Sequence, residues 1–318
     1  MLVEAAFKPI VELHRSARKG FPLPWLDGWM GASHKHARPH EEQQGGTEHP
    51  PTQPDEACDA VFHCALITRS PRRYDAPMQS DEYLVLDIET APDRDVYTPP
   101  EPQPGVERPF PPLYACKVLV IGVMWLDQNL AVKRHGTIAE GKDEGALLQD
   151  FSEFMAKHKP HLITWNGRGF DLPVLALRAL RHGVPMPWYY QDSNIRFRFK
   201  AEGHLDLCDF LSDFGAAMRT SLAGAAKLVG LPGKDGVDGS QVEGLYNAGQ
   251  MDALREYCLS DVAQTAFLFM RYRVLTGALS VERYREAASA MLDHLRADRR
   301  FERLVKQINT DQLLLNRT

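Results

Sequence analysis

The sequence predicts an α/β fold in which a mixed central sheet is flanked by helices. Short apolar runs bounded by polar turns are typical of buried strands, and the first two are Tyr83–Thr90 and Cys116–Leu126. Segments with apolar residues at helical spacing follow them, beginning with the stretch from about 143 to 158. The elements run β-β-β-α-β-α, and a short strand and further helices come after them.

Four further segments complete the predicted strands. Leu130–His135 returns from the second strand through a turn at 127–129, so these two strands form a hairpin. His161–Trp165 is a short buried strand, and residues 204–209 form a short strand or a turn. Asn194–Lys200 alternates aromatic and basic residues, which suits a strand that binds nucleic acid, although a half-buried strand with a solvated basic face explains it as well.

Four or five more helices are predicted from apolar periodicity and from capping residues. They are Leu172 to about His182 with Gly183 as its cap, Ser221–Val229, Asp252 to about Leu275, and one or two amphipathic helices within Val281–Thr318. The last region carries a basic stretch that is typical of a solvated helix face.

The chain divides into three predicted regions. Residues 1–79 hold many prolines, four histidines without zinc-site spacing and little periodicity, so we expect a disordered or loosely ordered segment. One hypothesis is that the native chain starts at Met78. Residues 80–278 form the predicted α/β domain, and residues 279–318 form a helical extension.

Composition limits the classes of protein. No apolar run approaches the roughly 20 residues that a membrane span needs, so no membrane partner is expected. The five cysteines are odd in number and scattered, which indicates free thiols in a reducing, cytoplasmic setting. The net charge of −5 argues against a protein that passively coats DNA.

Acidic residues mark the candidate site. Asp87 and Glu89 lie two apart in the first strand, so they share a face, where their mutual repulsion is costly unless a cation lies between them. The alternative is a strand end with two solvated acids. Asp171 follows a glycine-bearing turn and could be an ordinary helix cap, whereas Tyr257 and Asp261 lie one turn apart on the long helix.

In this order, the three segments resemble the motifs of the DEDD 3′–5′ exonuclease superfamily, which has the ribonuclease H-like fold. The segments are Asp87-Ile88-Glu89-Thr90, Asn166 to Asp171, and Tyr257 to Asp261. The tyrosine four residues before the last aspartate resembles the DEDDy branch. The resemblance is closest to the predicted exonucleases related to the proofreading domain of family B DNA polymerases, and it covers residues from about 80 to 275.

The resemblance implies a metal-dependent 3′–5′ exonuclease that acts on single-stranded DNA. Two Mg²⁺ or Mn²⁺ ions, roughly 3.5–4 Å apart, would activate water and neutralise charge on phosphorus. The family implies that Asp87, Glu89 and Asp261 hold one ion, that Asp87 bridges to the second, and that Asp171 acts directly or through water. It also implies that Tyr257 orients the attacking water.

The resemblance implies substrate contacts as well. Thr90, Asn166 and Phe170 lie beside the expected ligands and would contact the terminal nucleotide. Asp206 is a further acid of the family pattern to which we assign no role. The alternatives are an exoribonuclease of the same superfamily and a non-catalytic module that binds nucleic acid. Any polymerase partner is expected to be a separate chain.

Overall fold

A five-stranded mixed sheet forms the centre of the computed structural model, which describes residues 82–101, 109–233 and 241–316. Its order is β3-β2-β1-β4-β5, in which β1 pairs antiparallel with β2 and parallel with β4. The strands are β1 Tyr83–Pro92, β2 Cys116–Leu126, β3 Val132–Thr137, β4 His161–Thr164 and β5 His204–Asp206. This arrangement confirms the predicted ribonuclease H-like fold. The prediction for residues 1–79 lies outside the described residues.

Helices cover both faces of this sheet. They are α1 Glu144–His158, α2 Asp171–His182, α3 Pro187–Tyr190, α4 Ser193–Arg196, α5 Leu207–Leu211, α6 Leu222–Leu228, α7 Val242–Asn247, α8 Met251–Leu275, α9 Val281–Arg296, α10 Glu302–Gln307 and α11 Thr310–Leu313. The long helices therefore begin within one residue of their predicted positions. Gly183 caps α2 in a left-handed conformation, as its position in the sequence predicts.

Successive side chains of β1 point to opposite faces of the sheet, and this determines which of them reach the site. Leu84 and Leu86 pack in one core with α1 and α2, whereas Tyr83 and Val85 pack in a second core with α8. Asp87 continues the second set, so it points towards α8. A register shift between Glu89 and Thr90 then ends the regular ladder.

A buried arginine joins the end of β1 to the two helices on the other face. Arg178 of α2 forms ion pairs of 2.6 Å with both Asp93 and Glu144, and its side chain is 1% exposed. Burial by itself raises the pKa of both carboxyl groups, but the hydrogen bonds and charge of Arg178 hold each below its ordinary value. Glu144 also accepts a hydrogen bond from the amide of Val118 on β2. This network fixes the proline-rich segment where it leaves β1.

Two local predictions are wrong. Asn194–Lys200 is not a strand, because α4 occupies its first residues and the Arg168 guanidinium binds the carbonyl oxygens of residues 195–197 in place of a sheet partner. The region after residue 280 holds three helices rather than one or two, since a tight turn at Arg299–Phe301 and extended backbone at Ile308 interrupt it. These helices pack against α8 in the second core.

The helices of the described part of the chain were compared with the length and apolarity that a bilayer requires. None of them meets both conditions.

Candidate active site

Four carboxylates from three elements meet on the α8 side of β1. They are Asp87 and Glu89 of β1, Asp171 at the first position of α2, and Asp261 in the middle of α8. Burial is the largest cause of a strongly raised pKa at Asp87, and the charges of Asp171, Glu89 and Asp261 raise it further. Burial and then the charges of Asp261 and Asp171 likewise raise the pKa of Glu89. The acids of distant segments are thus neighbours in space.

Cys258 lies among these acids. One ligand atom each from Asp87, Glu89 and Cys258 falls within 4.8 Å of the others. The sulfur lies 3.6 Å from Asp87 Oδ2 and 3.5 Å from the Asp87 carbonyl oxygen. Burial, followed by the negative charges of Asp87, Glu89 and Asp261, raises the pKa of the thiol well above its ordinary value. Cys258 is therefore a neutral thiol that donates weakly to Asp87.

Asp171 has one carboxylate oxygen without a partner in the described part of the chain. Its side chain is buried, and its Oδ1 atom has no hydrogen-bond partner among the described residues. Burial raises its pKa to about 7, although backbone amides of Asp171 and Ile88 partly oppose this. Phe170 occupies the cap position of α2, so Asp171 is not the ordinary helix cap that the alternative interpretation assumed. A buried carboxylate oxygen without a protein partner is suited to bind a metal ion or water.

The Asp261 carboxylate accepts hydrogen bonds from two other side chains of α8. The Tyr257 hydroxyl donates to its carboxylate, which is the geometry expected for residues four apart on one helix. Gln264 also donates to Asp261 Oδ1 over 3.3 Å. The Gln264 amide binds the backbone N–H and C=O of Gly233, each over 2.8 Å, so it is held in one orientation. Burial and the nearby acids raise the pKa of Tyr257 far above 10, and the phenol stays protonated.

Asp206 shapes the turn that precedes Asp171. Its carboxylate accepts hydrogen bonds of 2.9 Å from the amides of Asn166 and Arg168, and it also caps the first turn of α5. Asn166 has a φ of 63°, a left-handed conformation that asparagine tolerates better than most residues. The buried Asp206 side chain therefore holds the turn in the conformation that aims Asp171 at β1.

The three predicted substrate contacts lie around this cluster. Thr90 follows the bulge in β1, and its hydroxyl bonds to the thiol of Cys116. Asn166 Oδ1 accepts from Arg219 over 2.8 Å. Phe170 is half-buried and packs edge-to-face against Phe110, whose side chain is exposed, with ring centroids 5.5 Å apart. Their contact with a nucleotide stays a prediction.

Sequence reasoning missed three supporting residues. Cys258 directly follows Tyr257 in the sequence, and this position puts it beside the acids. Asp206 ends a strand, and this position is the indication in the sequence that it has a structural role. Gln264 lies three residues after Asp261, which is one helical turn, and a buried amide at that spacing usually binds a neighbour.

The residues fit divalent metal ions. Carboxylate oxygens are the ligands that Mg²⁺ and Mn²⁺ prefer, and burying several of them together is costly without a cation. No lysine, arginine or histidine in the described ranges forms an ion pair with Asp87, Glu89 or Asp171. Together with the unpartnered Asp171 Oδ1, this donor set matches a hard cation better than it matches any side chain present.

Fold and site together define a hydrolase of the 3′–5′ exonuclease class. The chain belongs to the family of predicted 3′–5′ exonucleases related to the exonuclease domain of PolB, whose family model matches residues 108–309. The matched stretch contains Asp171, Tyr257 and Asp261, and it begins after β1. No curated protein matches the chain. Exonucleases of this family generally use divalent metals, and the acidic cluster is the candidate site for them.

Proposed function

We propose that the protein is a DEDDy-type 3′–5′ exonuclease that removes nucleotides from single-stranded DNA with two Mg²⁺ or Mn²⁺ ions. The observation that carries this proposal is the cluster of half-buried Asp87 with buried Glu89 and Asp171. Their pKa values are all raised, and no described cation offsets their charges. Asp261 closes the cluster from α8. Such a site is costly to maintain by itself and becomes favourable when it holds metal ions.

The four carboxylates would hold the ions. Bound ions would supply positive charge to the reacting phosphate and lower the pKa of water, so that hydroxide is available near neutral pH. In the hydrolysis, the water oxygen bonds to phosphorus and the bond from phosphorus to the preceding 3′ oxygen breaks, which releases a nucleoside 5′-monophosphate. Tyr257 remains protonated, so we assign it the orientation of the attacking water and not the removal of its proton.

The surroundings of the cluster suit a 3′-terminal nucleotide. Phe170 and the exposed Phe110 offer aromatic surface next to Asp171, and stacking on such rings does not depend on base identity. Asn166 and Thr90 bring polar side chains to the same border. We propose that these four residues position the terminal nucleotide over the carboxylates.

Two other functions are alternatives to this proposal. The carboxylate set serves exoribonucleases equally well, because the metal chemistry acts on the phosphodiester and not on the sugar. A non-catalytic module that binds nucleic acid is the third candidate. The retention of Tyr257 together with all four acids favours an enzyme over such a module.

The deciding experiment uses end-labelled single-stranded DNA and RNA of one sequence, with Mg²⁺, Mn²⁺ or EDTA. We expect stepwise shortening of the DNA from its 3′ end with either metal and none with EDTA. Faster shortening of the RNA would identify an exoribonuclease, and binding without degradation of either strand would identify the module.

We also propose a cytoplasmic setting. The described cysteines Cys116, Cys208 and Cys258 are free and buried, which supports a reducing compartment. A polymerase or repair enzyme as a separate partner chain would be consistent with activity on 3′ ends.

A further inference from the structure

An exposed aromatic surface lies beside the turn that carries Asn166. The predicted half-buried strand would have hidden Phe197 and Phe199, yet their side chains are 51% and 62% exposed. Phe197 packs against Phe199 with centroids 6.1 Å apart, and Phe199 packs edge-on against Phe214 at 4.8 Å. We name the surface of Phe197, Phe199 and Phe214 the aromatic platform. Exposed rings in such a group mark an interaction site more often than scattered single ones do.

The aromatic platform is fixed to the active-site turn by arginines. Arg168, which lies within that turn, binds the carbonyl oxygens of Ile195, Arg196 and Phe197 and also that of His204. Its guanidinium thus holds the start of the platform against the residues that lead into Asp171. The backbone of the platform is positioned by the same turn that positions a candidate metal ligand.

A second series of contacts joins the turn at Asn166 to the aromatic platform. Arg219 donates to Asn166 Oδ1 and to Asp209 Oδ1, each over 2.8 Å. Asp209 is buried, and Arg198 binds its two oxygens over 2.8 and 2.9 Å. Arg198 also donates to the carbonyl oxygen of Phe214. The contacts therefore run without a gap from the turn to the aromatic platform.

Cations lie among the rings of this surface. Arg198 and Arg219 share the single carboxylate of Asp209, which leaves one positive charge in excess. Lys200 lies 5.7 Å from the Phe197 ring centroid and has no ion-pair partner within the part of the chain that the structure describes. The exposed acids of the neighbouring loops are Glu202 and Asp213. Cations and rings alternate along the segment, which is the composition of surfaces that bind single strands.

We propose that the aromatic platform, with Lys200 and Arg219, binds the single-stranded part of the substrate upstream of its 3′-terminal nucleotide. The inference rests on the proposed function, because it extends the same site. Unpaired bases stack on Phe197 and Phe199, and Lys200 and Arg219 contact the phosphates between them. A duplex would not present free base faces to the rings, so the platform selects single strands.

Binding of a labelled 12-nucleotide single strand, measured by fluorescence anisotropy in EDTA, tests the platform without catalysis. The variant Phe197→Ala/Phe199→Ala removes two exposed rings. The matched control Leu228→Ala/Leu275→Ala removes two exposed apolar side chains elsewhere. We expect the platform variant to lose about tenfold or more in affinity, because it can no longer stack two bases, and the control to lose less than twofold. Equal affinities of the two variants would overturn the proposal.

The salt dependence of binding tests the charges. Lys200→Ala should reduce the slope of log affinity against log salt by about 0.7, the value for one phosphate contact on a single strand. The control Lys157→Ala removes an exposed lysine of α1 and should leave the slope unchanged. A slope for Lys200→Ala that equals that of the wild type would overturn the role of this lysine.

Hydrolysis rates distinguish a failure of the platform proposal from a failure of the proposed function. With Mg²⁺, the ratio of kcat/KM for the 12-nucleotide strand to that for a dinucleotide should fall about tenfold in the platform variant. An unchanged ratio contradicts the platform. A wild-type protein that binds the strand and hydrolyses neither substrate contradicts the proposed function, while the anisotropy comparison still decides on the platform.

Discussion

Gly122 lies directly opposite Asp87 in the ladder of β1 and β2, on the face that α8 covers. A Cβ atom at Gly122 would lie 2.6 Å from the Cys258 sulfur and 3.2 Å from Val262 Cγ2. The missing side chain therefore lets α8 approach the sheet closely enough for Asp261 to join the acids of β1. The close contact between β2 and α8 at Gly122 therefore supports the site.

The variant Gly122→Ala should lower activity, because the added methyl group pushes α8 and its Asp261 away from Asp87. We expect a loss of about 10–100-fold in kcat, as is typical when a residue that supports a metal site is lost. The double variant Gly122→Ala/Cys258→Ala should recover much of the activity, because it removes the sulfur that the methyl group meets. Steady-state kinetics with Mg²⁺ measures kcat for the single and the double variant.

Cys258→Ala is the control for that pair. The thiol is neutral and only donates weakly, so its loss should change kcat by a few-fold at most. A loss as large as that of Asp87→Ala would show that the sulfur is a ligand and would contradict our assignment.

Asp206→Ala should weaken both the fold and the reaction. Its carboxylate satisfies the amides of Asn166 and Arg168, and each buried amide left without a partner costs about 1–3 kcal/mol. We expect a lower midpoint of thermal unfolding and a kcat about 10–100-fold below that of the wild type. The exposed Asp95 offers a control, and the idea fails if Asp95→Ala and Asp206→Ala behave alike.

Tyr257→Phe should lower kcat with little change in KM. The ring keeps its packing while the hydroxyl that donates to Asp261 is lost, so we expect a fall of about 10–100-fold. Tyr246→Phe is the matched control, since its hydroxyl accepts from Lys117 outside the acidic cluster. Unchanged kcat in Tyr257→Phe would remove this tyrosine from the mechanism.

The stability of the metal-free protein should reveal the buried acid of α2. The pKa of Asp171 is raised to about 7 in the folded state, so its neutral form stabilises the fold below its unfolded pKa of about 4. This contribution is lost as the pH rises through 7. Asp171→Asn stays uncharged, and in EDTA its midpoint of thermal unfolding should rise relative to that of the wild type between pH 5 and pH 8.

The contributions of the other titrating groups to stability cancel when the wild type is compared with Asp171→Asn. Burial lowers the pKa of His161 to about 4 and that of His204 well below its ordinary value. Both histidines change stability in the opposite direction at acid pH, but they are present in both proteins. Saturating Mg²⁺ should remove the disadvantage of the wild type at pH 8. A difference between the two proteins that is the same at pH 5 and pH 8 would contradict the shifted pKa.

Local patterns predict the sheet and the relations between acids that are close in sequence. Alternation in Tyr83–Thr90 is enough to place Asp87 and Glu89 on one face, and helical spacing is enough to place Tyr257 beside Asp261. These are relations between residues close in sequence. The resemblance to known motifs then supplied what spacing cannot, namely that Asp171 and Asp261 join the acids of β1.

Tertiary contacts explain what sequence reasoning missed. Arg168 binds carbonyl oxygens about thirty residues later, and this converts an alternating segment into a short helix and a loop. Gly122 permits a helix to approach that lies over a hundred residues away. Neither partner is recognisable from local periodicity, because each contact exists only after the sheet has formed.

The most direct test of the account compares wild type, Asp87→Ala and Asp261→Ala on a 5′-labelled single-stranded DNA with Mg²⁺. We predict that the wild type shortens the strand stepwise from its 3′ end. Both variants should lose more than the roughly 100-fold that supporting residues cost, with unfolding midpoints in EDTA no lower than that of the wild type. Full activity in either variant, or an intact strand with the wild type, would contradict the account.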